Sequence, residues 1–107
     1  MTSGAPIRAS ERRPTSGVRY ALERTQVEPA QVTYEGFAHL PDADVPLVVH
    51  IDLPAGTVRA TATPLDTVPE ARAAALAKTA APLVRAATKS EIAAGQALPR
   101  KIVRWRG

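Results

Sequence analysis

Hydrophobic and polar positions alternate in four successive stretches of the chain. Val18, Tyr20 and Leu22 alternate with Arg19, Ala21 and Glu23, and Val32, Tyr34, Gly36, Ala38 and Leu40 alternate with Thr33, Glu35, Phe37 and His39. Val45, Leu47, Val49, Ile51 and Leu53 then alternate with Pro46, Val48, His50 and Asp52, and Val58, Ala60 and Ala62 with Thr57, Arg59 and Thr61. Successive side chains of a strand point to opposite faces, so a period of two predicts four half-buried strands. Proline-bearing stretches separate them: 25–30, which holds Pro29, then PDAD at 41–44 and PAGT at 54–57. These predict hairpin turns and an antiparallel meander.

The turns imply a register. If 41–44 closes the second hairpin, Leu40 faces Val45, Ala38 faces Leu47, Tyr34 faces Ile51 and Val32 faces Leu53. If 54–57 closes the third, Leu53 faces Val58, Ile51 faces Ala60, and Asp52 lies across from Arg59 on the other face. With Leu22 facing Val32 in the first hairpin, Arg19 sits across from Glu35. Apolar residues then meet apolar residues throughout, and a slip of one residue would turn a whole strand over.

After Pro64 the period lengthens. Thr67 and Glu70 have the spacing of a capping box, with Pro69 early in the first turn. Leu76, Ala80, Leu83, Val84 and Ala87 form one stripe of a helix over about 68–94, with Lys78, Arg85 and Lys89 opposite. Pro82 removes the bond to the Lys78 carbonyl and predicts a kink, or a division into two helices. Thr88 to Glu91 offers a second capping box and Gly95 a C-terminal stop. The chain ends LPRKIVRWRG, a β-prone stretch from Lys101 to Arg106.

The expected fold class is therefore α+β: a four-stranded antiparallel meander, a proline-kinked helix (or two helices) on one face, and a short basic C-terminal strand or tail. Residues 1–16 have no periodicity and read as a disordered basic arm, 17–98 as a single domain, and 99–107 as the strand or tail. Twelve of the 27 residues from Ala71 to Ala97 are alanine, which bury little area each. One thin helix leaves sheet edges, and part of a face, uncovered. That points to a homodimer, through helix pairing or edge-strand extension.

Composition narrows the classes of function. At 107 residues the chain suits one domain, and the absence of cysteine excludes disulfides, a cysteine nucleophile and thiolate metal sites. No apolar run approaches the ~18–20 residues of a membrane span. The stretch 1–14 lacks the apolar segment of a secretory signal, so a cytoplasmic location is expected. The net charge of +4 is uneven. The first 24 residues hold five arginines against two glutamates, 25–71 seven acids against Arg59, and 72–107 eight cations against Glu91. A basic end beside an acidic middle suits an anionic partner, or two regions that pack and neutralise each other.

Candidate chemistry is sparse. His39 and His50 are the only histidines. The implied register puts His50 near Glu35 and Asp52, the nearest approach to a metal set, but a solvated face with ordinary cross-strand pairs explains it as well. Asp52, His50 and Thr61 lack the nucleophile turn and oxyanion hole of a hydrolytic triad. Asp42 and Asp44 suit a turn better than paired acid–base work. The six glycines form neither GxGxxG nor GxxxxGK[ST]. No enzyme activity, no metal and no cofactor is expected.

Binding is the better expectation. Phe37, Arg19 and Arg59 on the outer face are offset by Glu23, Glu35 and Asp52, a poor platform for nucleic acid. Arg100, Lys101, Arg104 and Arg106 surround Trp105 near the end of the chain, and Arg8, Arg12 and Arg13 lie in the arm. Such a tail can bind phosphates and stack a base. It can also dock on a partner through Ile102, Val103 and Trp105, or form a fifth strand with Val103 and Trp105 against the core. The leading expectation is a non-catalytic module, dimeric, binding another protein or itself through residues 100–106. Nucleic-acid binding by the two basic ends is the alternative. The alanine-rich helix lacks the bulky anchors of a membrane-surface helix, and no membrane partner is expected.

Overall fold

The alternation in 18–62 becomes a sheet that one helix covers on a single face. The computed structural model describes residues 16–106, and the expected arm at 1–16 lies outside these except for Ser16. The strands are β1 (Val18–Val27), β2 (Gln31–His39), β3 (Asp44–Asp52), β4 (Thr57–Ala62) and β5 (Lys101–Arg106), with helix α1 (Glu70–Ala94) between β4 and β5. They form one five-stranded sheet in the order β4-β3-β2-β1-β5, every neighbouring pair antiparallel. The chain is thus an α+β fold, and α1 carries it from one sheet edge to the other.

The inner face holds the core. Tyr20, Leu22, Val32, Tyr34, Ala38, Val45, Leu47, Val49 and Ile51 are buried there with Ile102 of β5. Ala73, Leu76, Ala77, Ala80, Leu83 and Val84 of α1 are buried as well. These helix positions recur at spacings of three and four, as one face of a 3.6-residue helix requires. Tyr34 donates to the Pro99 carbonyl at 2.5 Å, and Arg24 Nη1 donates to the Leu98 carbonyl at 2.7 Å. Both bonds tie the sheet to the segment that returns the chain into β5. Burial holds the Tyr20 and Tyr34 hydroxyls above their usual pKa.

The register differs from the one implied by the turns, by an even number of residues in every hairpin. Ala38 faces Val45, Tyr34 faces Val49 and Val32 faces Ile51. Ile51 faces Val58, and Asp52 faces Thr57 in place of Arg59. Leu22 faces Gly36, and Arg19 faces His39 in place of Glu35. The loops explain the shift. Leu40 N–H donates to the Ala43 carbonyl, so 40–43 forms the second turn and the buried Leu40 belongs to it. In the third turn Asp52 accepts from the Gly56 N–H through its carbonyl and from the Ala55 N–H through its carboxylate, with Gly56 at a positive φ of 69°. In the first, β1 runs on through a bulge between Arg24 and Gln26. Because each shift is even, no side chain of the core changed face.

The helix departs from expectation at its start and middle. Pro69 occupies the N-cap with no side-chain bond, so the Thr67–Glu70 capping box does not form. A turn closed by reciprocal bonds between Leu65 and Val68 takes up Thr67 instead. The helix is continuous through the exposed Pro82, so the two-helix alternative does not hold. Thr88 caps nothing: it is buried mid-helix, its hydroxyl bonded to the Val84 carbonyl at 2.8 Å. Gly95 does stop the helix, in the left-handed conformation at φ 67°, with Gln96 N–H on the Glu91 carbonyl and Gly95 N–H on that of Ile92.

Candidate interaction surface

Strand alternation divides the basic C-terminal stretch between two faces. Ile102 is buried opposite Leu22 on the helix side. Val103 and Trp105 point to the outer face and are 42% and 54% exposed, so the expectation that a fifth strand would pack them on the core is corrected. They cannot join Ile102, because neighbours on a strand alternate. Lys101 shares their face, while Arg104 and Arg106 lie on the helix side opposite Tyr20 and Val18. The arrangement separates the two arginines from the tryptophan they flank in sequence. Arg100 precedes the strand, its carbonyl accepting from the Arg24 N–H.

The pairing arranges the outer face in rows across the strands. Trp105, Arg19, His39 and Asp44 form one row, and Val103, Ala21, Phe37 and Pro46 the next. Lys101, Glu23, Glu35, Val48 and Thr61 form the third. The middle row is apolar across four strands. Phe37 is 43% exposed and Ala21 is small, so a trough of about 600 Å³ lies between the Phe37 and Val103 sides with Ala21 in its lining. Its shape depends on Gly36, where a Cβ would overlap the Ala21 carbonyl. Pro46 is accommodated at the end of β4: its carbonyl accepts from the Thr63 N–H at 3.0 Å, and only the return bond of this last pair is lost to the proline nitrogen.

Charges flank the apolar row on both sides. Arg19 is only 6% exposed and lies under the Trp105 ring, 5.8 Å from its centroid. Its Nε–H is buried and meets no acceptor among the described residues. No carboxylate among the described residues forms an ion pair with this guanidinium. A buried unpaired donor costs roughly 1–3 kcal/mol, so the position calls for an explanation. His39 Nδ1 is 2.7 Å from Asp44 Oδ1, and its ring lies 5.7 Å from that of Phe37. On the other flank Glu23 and Glu35 face each other directly, a like-charge pair that destabilises an isolated sheet. Thr25 donates to Glu35 at 2.9 Å.

The remaining chemical candidates disperse. His50 faces Thr33 and Arg59 and lies within bonding distance of Gln31 and Thr33, away from Glu35. Asp52 is engaged in the β3–β4 turn. Thr61 faces Val48, so Asp52, His50 and Thr61 make no triad. Among the described residues no group of three or more His, Asp or Glu could hold a metal ion. A smaller cleft of about 280 Å³ lies beside the end of α1, lined by Val27, Val32, Leu53, Ile92 and Leu98 with Arg24 and Glu91. Arg24 is already bonded to Leu98 there. No helix among the described residues is long and apolar enough to cross a membrane.

Comparison with known proteins found no matching family model, no similar curated protein and no similar solved structure. The outer face is therefore read from its own chemistry. Sequence reasoning placed Arg19 and Phe37 on it but missed that Trp105, Val103 and Lys101 join them. That depended on which edge β5 adds to, and no local pattern specifies an edge.

Proposed function

We propose that this chain is a small protein-interaction module without chemistry of its own, and that it binds protein through the uncovered outer face of its sheet. The supporting observation is the apolar row Val103–Ala21–Phe37–Pro46, open to solvent beside Trp105 and its stacked arginine. Contiguous exposed apolar surface rimmed by polar groups marks interaction sites, and tryptophan and arginine dominate their energetics. The scattered histidines and the turn-bound Asp52 support a non-catalytic role.

Nucleic-acid binding is the second reading. It draws support from two exposed rings, Phe37 and Trp105, with Arg19 and Lys101 on one face. Glu23, Glu35 and Asp44 on the same face weigh against it, since they repel phosphates. Arg104 and Arg106 lie on the other side, away from the rings.

Photo-crosslinking discriminates between the two. A photoreactive phenylalanine analogue is placed at Phe37 in one version of the full chain and at the exposed Lys89 on α1 in another. Protein crosslinks from position 37 and none from position 89 are expected. Nucleic-acid adducts at 37 would replace this reading with the second, and protein adducts only at 89 would move the interface to the helix.

A further inference from the structure

Resting on the reading of the outer face as a protein-binding surface, we infer that its occupant is a second copy of this chain, packed face to face about a two-fold axis along the apolar row. Two sheets packed face to face keep their strands roughly aligned, and a two-fold interface must complement itself. An axis along Val103–Ala21–Phe37–Pro46 lays that row on its own copy. It also brings the row that contains Arg19 over the row that contains Glu23.

The charges match under this operation. Arg19 meets Glu23 of the second copy, and His39 meets its Glu35. Trp105 meets its Lys101, a cation over an indole face. Each feature left unexplained in one chain finds its counterpart. The buried Arg19 Nε–H gains a carboxylate, and the facing Glu23 and Glu35 gain Arg19 and His39 as partners. The alternative axis, along the strands, would set Glu23 over Glu35 of the second copy and Arg19 over its His39. The two opposed glutamates disfavour that arrangement.

The β5 edge serves less well. Since the Arg100 carbonyl points to β1, the Val103 and Trp105 carbonyls point to the open edge of β5. Arg104 Nη1 covers the first at 2.8 Å and Arg106 Nη1 the second at 2.8 Å. Two such edges brought together would oppose rows of cations, which is one way natural edges avoid pairing.

Sedimentation equilibrium of the full chain from micromolar to millimolar concentration tests this directly. A mass twice that of one chain is expected at the upper end. Glu23→Arg sets Arg against Arg19 of the second copy, and self-association should weaken by at least roughly thirtyfold, as losing a desolvated charge pair does. Arg19→Glu should do the same. An equimolar mixture of the two variants should recover a heterodimer, because both swapped pairs are then complementary. Thermal melts of each variant check that it folds. If Arg19→Glu does not, Lys101→Glu replaces it, and it should weaken self-association of the otherwise unaltered chain by setting Glu on the face of Trp105. A monomer at every concentration, or a dimer indifferent to Glu23→Arg, would overturn the inference. If the chain stays monomeric while position 37 still crosslinks to a different protein, the interaction-module reading survives and only the identity of the occupant falls.

Discussion

Gly36 shows how one residue shapes both faces of the sheet. It opposes Leu22 on the inner side, and a Cβ there would collide with the backbone carbonyl of Ala21, which cannot swing away as a flexible side chain would. We expect Gly36→Ala to destabilise the fold by about 3 kcal/mol, the upper range for overpacking, measured by urea denaturation. A change below about 0.5 kcal/mol, the size of an ordinary surface substitution, would show that β1 and β2 are not in such close contact. This residue was legible in the sequence only as a member of the apolar alternation. That it stands where two backbones approach closely depends on pairing across the hairpin. Arg19 is similar. Its outward direction followed from alternation, but its burial under Trp105 follows from β5 joining the β1 edge.

At the scale of elements, what could be read ahead was the face of each strand rather than its partner residues. The four strands, the helix and its stop at Gly95 all follow from periodicity and from the left-handed freedom of glycine. Register did not follow, because β2 and β3 offer runs of similar apolar residues that meet acceptably at offsets of two. The loop bonds of Leu40 with Ala43 and Asp52 with Gly56 decided it. Thr67 and Thr88 carried capping signals for a similar reason: the motif is short, and it falls two residues before the N-cap at Pro69 in one case and inside α1 in the other. Pro82 supplies the prediction at this scale. It is exposed and inside a continuous helix, so it removes one backbone bond with no burial in return. Pro82→Ala should stabilise the protein by roughly 2 kcal/mol, seen as a higher urea midpoint at unchanged slope. Destabilisation instead would mean that Pro82 sets the course of α1 over the sheet in a way that alanine does not.

For the whole molecule, the decisive asymmetry is that one helix serves a sheet with two faces. The inner face is filled by α1 and by the bonds from Tyr34 and Arg24 to the returning segment. The outer face keeps an apolar row, a stacked tryptophan, a buried arginine with no carboxylate partner among the described residues, and two facing glutamates. An incomplete cover was legible from the alanine-rich helix, which promised little buried area. The face-to-face pairing we infer was not, since helix pairing and edge extension suggested themselves first. The β5 edge is screened by its own arginines, and the outer face is the surface we infer to complement itself. Trp105 is the only tryptophan, and it lies on that face. Its emission, followed as the full chain is diluted from millimolar to submicromolar concentration, therefore reports the face-to-face contact. We predict a shift to longer wavelength on dilution as Trp105 returns to water, absent in Glu23→Arg, which should show the dilute spectrum throughout. Emission that is unchanged while the sedimenting mass falls from dimer to monomer would place the contact away from Trp105 and rule out the face-to-face pairing.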